Sequence, residues 1–237
     1  MRTFTEEELS KLGFQGNIYP DPNAFRSHRP FLKHCVDLLY EKKGKLNILE
    51  VGIGDGSSEY FSEITKEDKA NVWGIEFYPA FWEEYEEKRK ELVNDNYQMS
   101  LEYDSQGPWV WGTPIFDKVD RFYDIIFIDS GSYENRWNWV KYASKGHSDI
   151  FMLHDSEHWH RQKKWAFDYI KENWKYVYDS WPKVNPGTIF GANFDLKCNL
   201  AFEKIHDDLA VDPSNPHPQV GELDPATMNM PIQEWAE

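Results

Sequence analysis

The chain reads as an α/β protein on a doubly wound, mostly parallel seven-stranded sheet with an antiparallel edge. Three observations predict this. Short apolar runs without alternation, such as Leu46-Asn-Ile-Leu-Glu-Val and Tyr123-Asp-Ile-Ile-Phe-Ile, read as strands buried on both faces. Segments of helical spacing stand between these runs. After the fifth strand–helix repeat the helices stop and strands follow one another.

Residues 1–44 form a polar lead-in and a helix, 45–206 the sheet domain, and 207–237 a Pro-rich acidic tail. The first helix spans Ala24 to Lys43, with Phe25, Phe31, Leu32, Cys35, Val36, Leu38 and Leu39 roughly on one face, and Gly44 ends it. Strands are expected at Leu46–Gly52, Asn71–Glu76, Tyr97–Tyr103, Phe122–Asp129 and Ser148–His154. Pro79 suits the first position of a helix carrying Trp82, Tyr85, Arg89, Leu92 and Val93. Further helices are expected over Tyr133–Lys145, closed by Gly146, and from Ser156 to Trp174. Tyr176–Trp181, Thr188–Phe194 and Leu200–Ile205 read as the antiparallel edge.

A net charge of −15 argues against nucleic acid as the main partner, since a phosphate backbone calls for clustered Lys and Arg. The N-terminus lacks the apolar core of a signal peptide, and no run approaches the roughly 18 apolar residues of a membrane span. A cytoplasmic protein without a membrane partner is expected. Cys35 and Cys198 read as reduced thiols, with a single disulfide left open. Trp109 and Trp111, Trp137 and Trp139, and Trp159 would line a pocket for an aromatic or sugar ring, or else serve as core or interface.

Ligands of doubly wound sheets sit beyond the carboxyl ends of the strands, near the switch in strand order. The first strand ends in Glu50-Val-Gly-Ile-Gly-Asp-Gly-Ser-Ser58. Its glycines permit a sharp turn and close backbone approach, and a helix amino end faces the same space. Glu76, 26 residues after Glu50, is placed to accept hydrogen bonds from ribose hydroxyls. Asp104-Ser105 ends the third strand, where it would meet an adenine amino group. Asp129-Ser130 ends the fourth strand, and His154-Asp155-Ser156 the fifth. Two neighbouring carboxylates repel unless a positive group lies between them: a substrate ammonium, a sulfonium or a divalent metal. His154, His158 or His160 would act as a general base, or His154 and His158 as transition-metal ligands. Helical geometry limits the second idea, because residues 158 and 160 point in different directions.

Together, Glu50-x-Gly-x-Gly-x-Gly56, Glu76, Asp104-Ser105, Phe127-Ile-Asp129 and Leu153-His-Asp155 resemble the class I S-adenosylmethionine-dependent methyltransferases over about residues 30–195. They look most like the small-molecule O-methyltransferases, catechol-like or macrolide-sugar-like. The resemblance implies a Rossmann-like fold with S-adenosylmethionine as cofactor. Gly52, Gly54 and Ser57 or Ser58 would line its methionine part, Glu76 would hold the ribose, and Asp104-Ser105 would lie by the adenine. Glu50, Phe77 and Asp129 complete the expected cofactor-binding set. Mg²⁺ would be held by Asp129 and Asp155, though His154 and Ser156 stand where relatives carry a further carboxylate or an amide. Asp129-Ser-Gly-Ser likewise replaces the relatives' Asp-Gly-x-His. Asp129, His154 and Asp155 are the expected catalytic residues for O-methylation of a small-molecule hydroxyl. The first helix and the tail would close over the site or join a homodimer.

Two other functions compete. A spermidine synthase-like aminopropyltransferase shares the fold, with Gly52-Ile-Gly-Asp-Gly56 and Asp129-Ser130 resembling its motifs, although Ile53 breaks the glycine pair. A non-catalytic methyltransferase-like binding module is the third reading.

Overall fold

The computed structural model describes residues 27–102, 118–130, 133–156, 164–180 and 186–198. The first helix, α1 (Arg29–Lys43), has Pro30 in its opening turn, where a missing N–H costs nothing. Phe31, Leu32, Cys35, Val36 and Leu39 are buried, and Gly44, at φ 78°, donates its N–H to the Tyr40 carbonyl at 2.8 Å. The helix is integral to the fold, because these side chains join one apolar cluster with Leu46 and Ile48 of the first strand.

In chain order there follow β1 (Leu46–Val51), α2 (Ser57–Lys66), β2 (Ala70–Glu76), α3 (Pro79–Glu84), α4 (Glu86–Leu92), β3 (Tyr97–Leu101), β4 (Tyr123–Ile128) and α5 (Tyr133–Tyr142). The remainder is β5 (Ser148–His154), α6 (Lys164–Asn173), β6 (Tyr176–Asp179) and β7 (Thr188–Ala192). The helix expected from Pro79 divides at Tyr85, whose φ −87° and ψ 8° depart from helical values. Tyr85 stacks on Phe81 with ring centroids 5.3 Å apart. The helix after β4 widens into a π turn over Ala143–His147, where Gly146 at φ 91° reverses the chain into β5. Strands three, six and seven are each two residues shorter than the sequence predicts.

The sheet has the order β3-β2-β1-β4-β5-β7-β6. Strands β1 to β5 run parallel, and β7 lies antiparallel to both β5 and β6. This is the Rossmann-like, mostly parallel seven-stranded sheet with an antiparallel edge. One core cluster joins α1 and α2 to one face of the sheet, and a second joins α5 and α6 to the other. Strand β4 is buried at every position, which explains why it lacks alternation. Strand order reverses between β1 and β4, so the crevice opens beyond Val51 and Ile128. No helix among the described residues is long and apolar enough to cross a membrane.

Trp137 and Trp139 are buried in the second cluster, Trp137 edge-on to both Trp165 and Tyr169. They are core residues, not the walls of an open pocket. Trp109, Trp111, Trp159, the Leu200–Ile205 strand and the 207–237 tail lie outside the described residues.

Candidate functional site

Gly52, at φ 90°, donates its N–H to the Ile75 carbonyl at 2.8 Å, so the loop leaves β1 still tied to β2. A Cβ at Gly52 would lie 2.4 Å from the Asp129 carbonyl oxygen. This glycine therefore serves close packing of the loop against the exit of β4, more than the approach of a ligand. Gly54 differs, because a Cβ there would meet no described atom within 4 Å. Gly56, at φ 92°, caps the amino end of α2. The loop thus presents one open face, at Gly54, beside a helix amino end suited to an anionic group such as a carboxylate.

Beneath the loop, Glu50 is fully buried and accepts hydrogen bonds from Ser57 Oγ at 2.7 Å and Ser58 Oγ at 2.8 Å, and from the Tyr97 hydroxyl. Burial raises its carboxyl to about 7 even against these three donors. The two serine hydroxyls, expected to line the cofactor, are instead turned inward onto Glu50. Glu50 thereby braces the loop from below and ties β1, α2 and β3 together.

Glu76 ends β2 with Oε1 accepting the N–H groups of Phe77 at 2.7 Å and Tyr78 at 2.9 Å. Burial raises its carboxyl above the usual range, and backbone N–H groups oppose that shift. Phe77 turns into the core, its ring 6.4 Å from that of Trp139. Asp104 and Ser105 lie outside the described residues, as do His158 and His160.

The densest constellation stands at the ends of β4 and β5. Arg136, from α5, places Nη2 3.0 Å from Asp129 Oδ1 and Nη1 2.7 Å from Asp155 Oδ2. Its Nε also donates to the Ser130 carbonyl at 2.5 Å and Nη1 to the His154 carbonyl at 3.0 Å. His154 Nδ1 faces the other two carboxylate oxygens, 3.1 Å from Asp129 Oδ2 and 3.4 Å from Asp155 Oδ1. Its Nε2 lies 3.1 Å from Ser27 Oγ, which donates to the Pro186 carbonyl at 3.0 Å. Burial alone would lower the His154 pKa, but Asp129 and Asp155 outweigh it and raise it to about 9. Asp155 sits in the left-handed region at φ 57°, a conformation aspartate tolerates better than most residues.

Two expectations are corrected here. The positive group between Asp129 and Asp155 is the chain's own Arg136. These residues do not fit a Mg²⁺ ion between the two carboxylates, because the Arg136 guanidinium already bridges them and the remaining neighbour is an imidazole where Mg²⁺ calls for oxygen. His154 is buried with Nδ1 facing the two carboxylates and Nε2 facing Ser27 Oγ, so it is poorly placed to act as general base on a hydroxyl in the crevice. Arg136 belongs to no motif, so the sequence alone assigns it no role. The signal available was a lone arginine in the helix directly after Asp129.

No family model matches the chain, and no curated protein matches it. Similar solved structures include a methyltransferase from Podospora anserina bound to S-adenosylhomocysteine, at 16% identity over 82% of this chain and 99% of that one, TM-score 0.49. A tomaymycin-synthesis O-methyltransferase from Streptomyces achromogenes with bound S-adenosylmethionine is 14% identical over 75% of this chain and 92% of that one, TM-score 0.48. A probable spermidine synthase from Corynebacterium glutamicum is 12% identical over 70% of this chain, which spans only 63% of that one, TM-score 0.49. The similar structures are mostly methyltransferases, O-methyltransferases among them. At these identities the likeness is one of fold.

Proposed function

We propose that the chain is an S-adenosylmethionine-dependent methyltransferase acting on the hydroxyl of a small molecule, a sugar or an aromatic compound. The observation that carries this reading is the open face of Gly54 at the amino end of α2, set between two acidic strand ends, Glu76 and Asp129. Such a cradle suits the donor's amino acid and ribose. The bound donor supplies an electrophilic methyl group on a sulfonium. Glu76 offers a carboxylate for the ribose, oriented by the Phe77 and Tyr78 N–H groups. Asp129 and Asp155, with side chains 25% and 24% exposed, reach the crevice and can take the acceptor's proton. Arg136 and the His154 ring hold those carboxylates in place, so alignment of the reactants needs little rearrangement.

Aminopropyl transfer would bring a polyamine's ammonium groups to the same carboxylates, where Arg136 already sits. Calorimetry distinguishes the readings. Micromolar binding of adenosylhomocysteine that weakens at least tenfold in Glu76→Ala supports methyl transfer. Binding of decarboxylated adenosylmethionine alone would turn the assignment to aminopropyl transfer, and no binding of either would make the chain a non-catalytic module.

A further inference from the structure

His28 is 1% exposed, and neither of its ring nitrogens has a hydrogen-bond partner among the described residues. A buried polar atom left without a partner costs about 1–3 kcal/mol, so a side chain carrying two such atoms calls for an explanation. The ring stands just ahead of α1, edge-on to His154 with centroids 4.7 Å apart and tilted against Phe127 at 4.8 Å. One ligand atom each from His28, Asp129 and His154 lies within 4.8 Å of the others.

We propose that His28, His154 and Asp129 form a binding site for a divalent first-row transition metal, with Zn²⁺ as the simplest occupant. Metal–ligand bonds of about 2.0–2.2 Å at tetrahedral angles put donor atoms roughly 3.3 Å apart. Asp129 Oδ2 and His154 Nδ1, 3.1 Å apart, already have that spacing, and the ion would take the place of the proton that the carboxylates favour on Nδ1. Closing His28 onto the pair breaks no hydrogen bond among the described residues. Two imidazoles and one carboxylate form a borderline donor set that prefers Zn²⁺, Co²⁺ or Ni²⁺ to Mg²⁺.

The surroundings orient the ligands. Arg136 holds Asp129 by its other oxygen, Oδ1, and Ser27 Oγ meets His154 at Nε2. Three protein ligands leave a further position for water or an acceptor oxygen. The site does not depend on the methyl-transfer reading, since the metal alone is the probe.

The test is titration of chelator-stripped protein with Zn²⁺ against a chromophoric chelator, and with Co²⁺ by its visible d–d absorption. The expected result is one ion per chain at micromolar affinity or tighter, unchanged by millimolar Mg²⁺ and retained when His158 and His160 are both replaced by alanine. His28→Ala should weaken it at least tenfold. His28→Phe fills the same space and serves as the folded control: it should melt no lower than the metal-free wild type, yet gain no thermal stability from Zn²⁺. Wild-type affinity in either His28 variant, displacement by Mg²⁺, or no bound ion would overturn the proposal.

Discussion

The guanidinium of Arg136 meets the Asp155 carboxylate at 2.7 Å, and the same nitrogen reaches the His154 carbonyl at 3.0 Å. One side chain therefore fixes both the acid and the backbone that presents it. Removing a buried ion partner strands the other charges, at a cost of about 3–5 kcal/mol. Arg136→Ala should melt roughly 6–20 °C below the wild type by calorimetry. Arg136→Lys should rescue little of this, because an ammonium cannot fork between two carboxylates. A melting point within two degrees of wild type in both variants would remove the role assigned to this residue.

Gly52 and Gly54 should separate folding from binding. Gly52→Ala forces a methyl group against the Asp129 carbonyl at an already left-handed φ, so it should fold poorly or melt far below wild type. Gly54→Ala meets no described atom, so its melting point should stay near wild type while adenosylhomocysteine affinity falls at least fivefold. Equal affinity in Gly54→Ala would place the donor elsewhere.

Glu50 predicts a pH dependence of stability. Its carboxyl is raised to about 7 in the folded state, so folding favours its protonated form. The resulting stabilisation is complete below the ordinary carboxyl range and is lost as pH rises through 7. It amounts to something on the order of 3 kcal/mol. Chemical denaturation of wild type and Glu50→Gln at several pH values between 5 and 8.5 reads it directly. The difference between the two should narrow or invert as pH rises, and parallel curves would show that Glu50 does not titrate in this range.

Asp155 carries the proposed proton transfer. Asp155→Asn keeps the side-chain shape and should lower methyl transfer about 10²–10⁴-fold while adenosylhomocysteine affinity stays within threefold. An unchanged turnover number would exclude Asp155 from the chemistry.

Much of the fold was legible because its signals are local. β5 spans Ser148–His154 as expected from a run bounded by Gly146 and Asp155, and Gly44 ends α1 where only a short loop leads to β1. The shorter edge strands reflect tertiary pairing, which ends the β6–β7 ladder at Ala192 although the apolar pattern continues to Phe194. The site was legible only in part. Asp129 and Asp155 announced a need for positive charge, but its source is a long side chain from α5 whose helical context is unremarkable in sequence. Ser57 and Ser58 directly follow the glycines, a position from which sequence alone points them at a ligand. Their orientation depends on Glu50, whose burial is a property of the assembled sheet. His28 precedes its neighbour His154 by 126 positions, a distance no local pattern spans.

Ser27 donates to the carbonyl of Pro186 across 159 positions of chain. During synthesis the residue just ahead of α1 gains this contact only once the chain has reached the approach to β7, which inserts between β5 and β6 and covers the edge of β5. Until that strand leaves the ribosome, His154 lacks its Thr188 partner and the surroundings of His28 are unfinished. The strand-end crevice is thus completed only by a late part of the chain, which makes it a region where slow translation or an early stop would do harm.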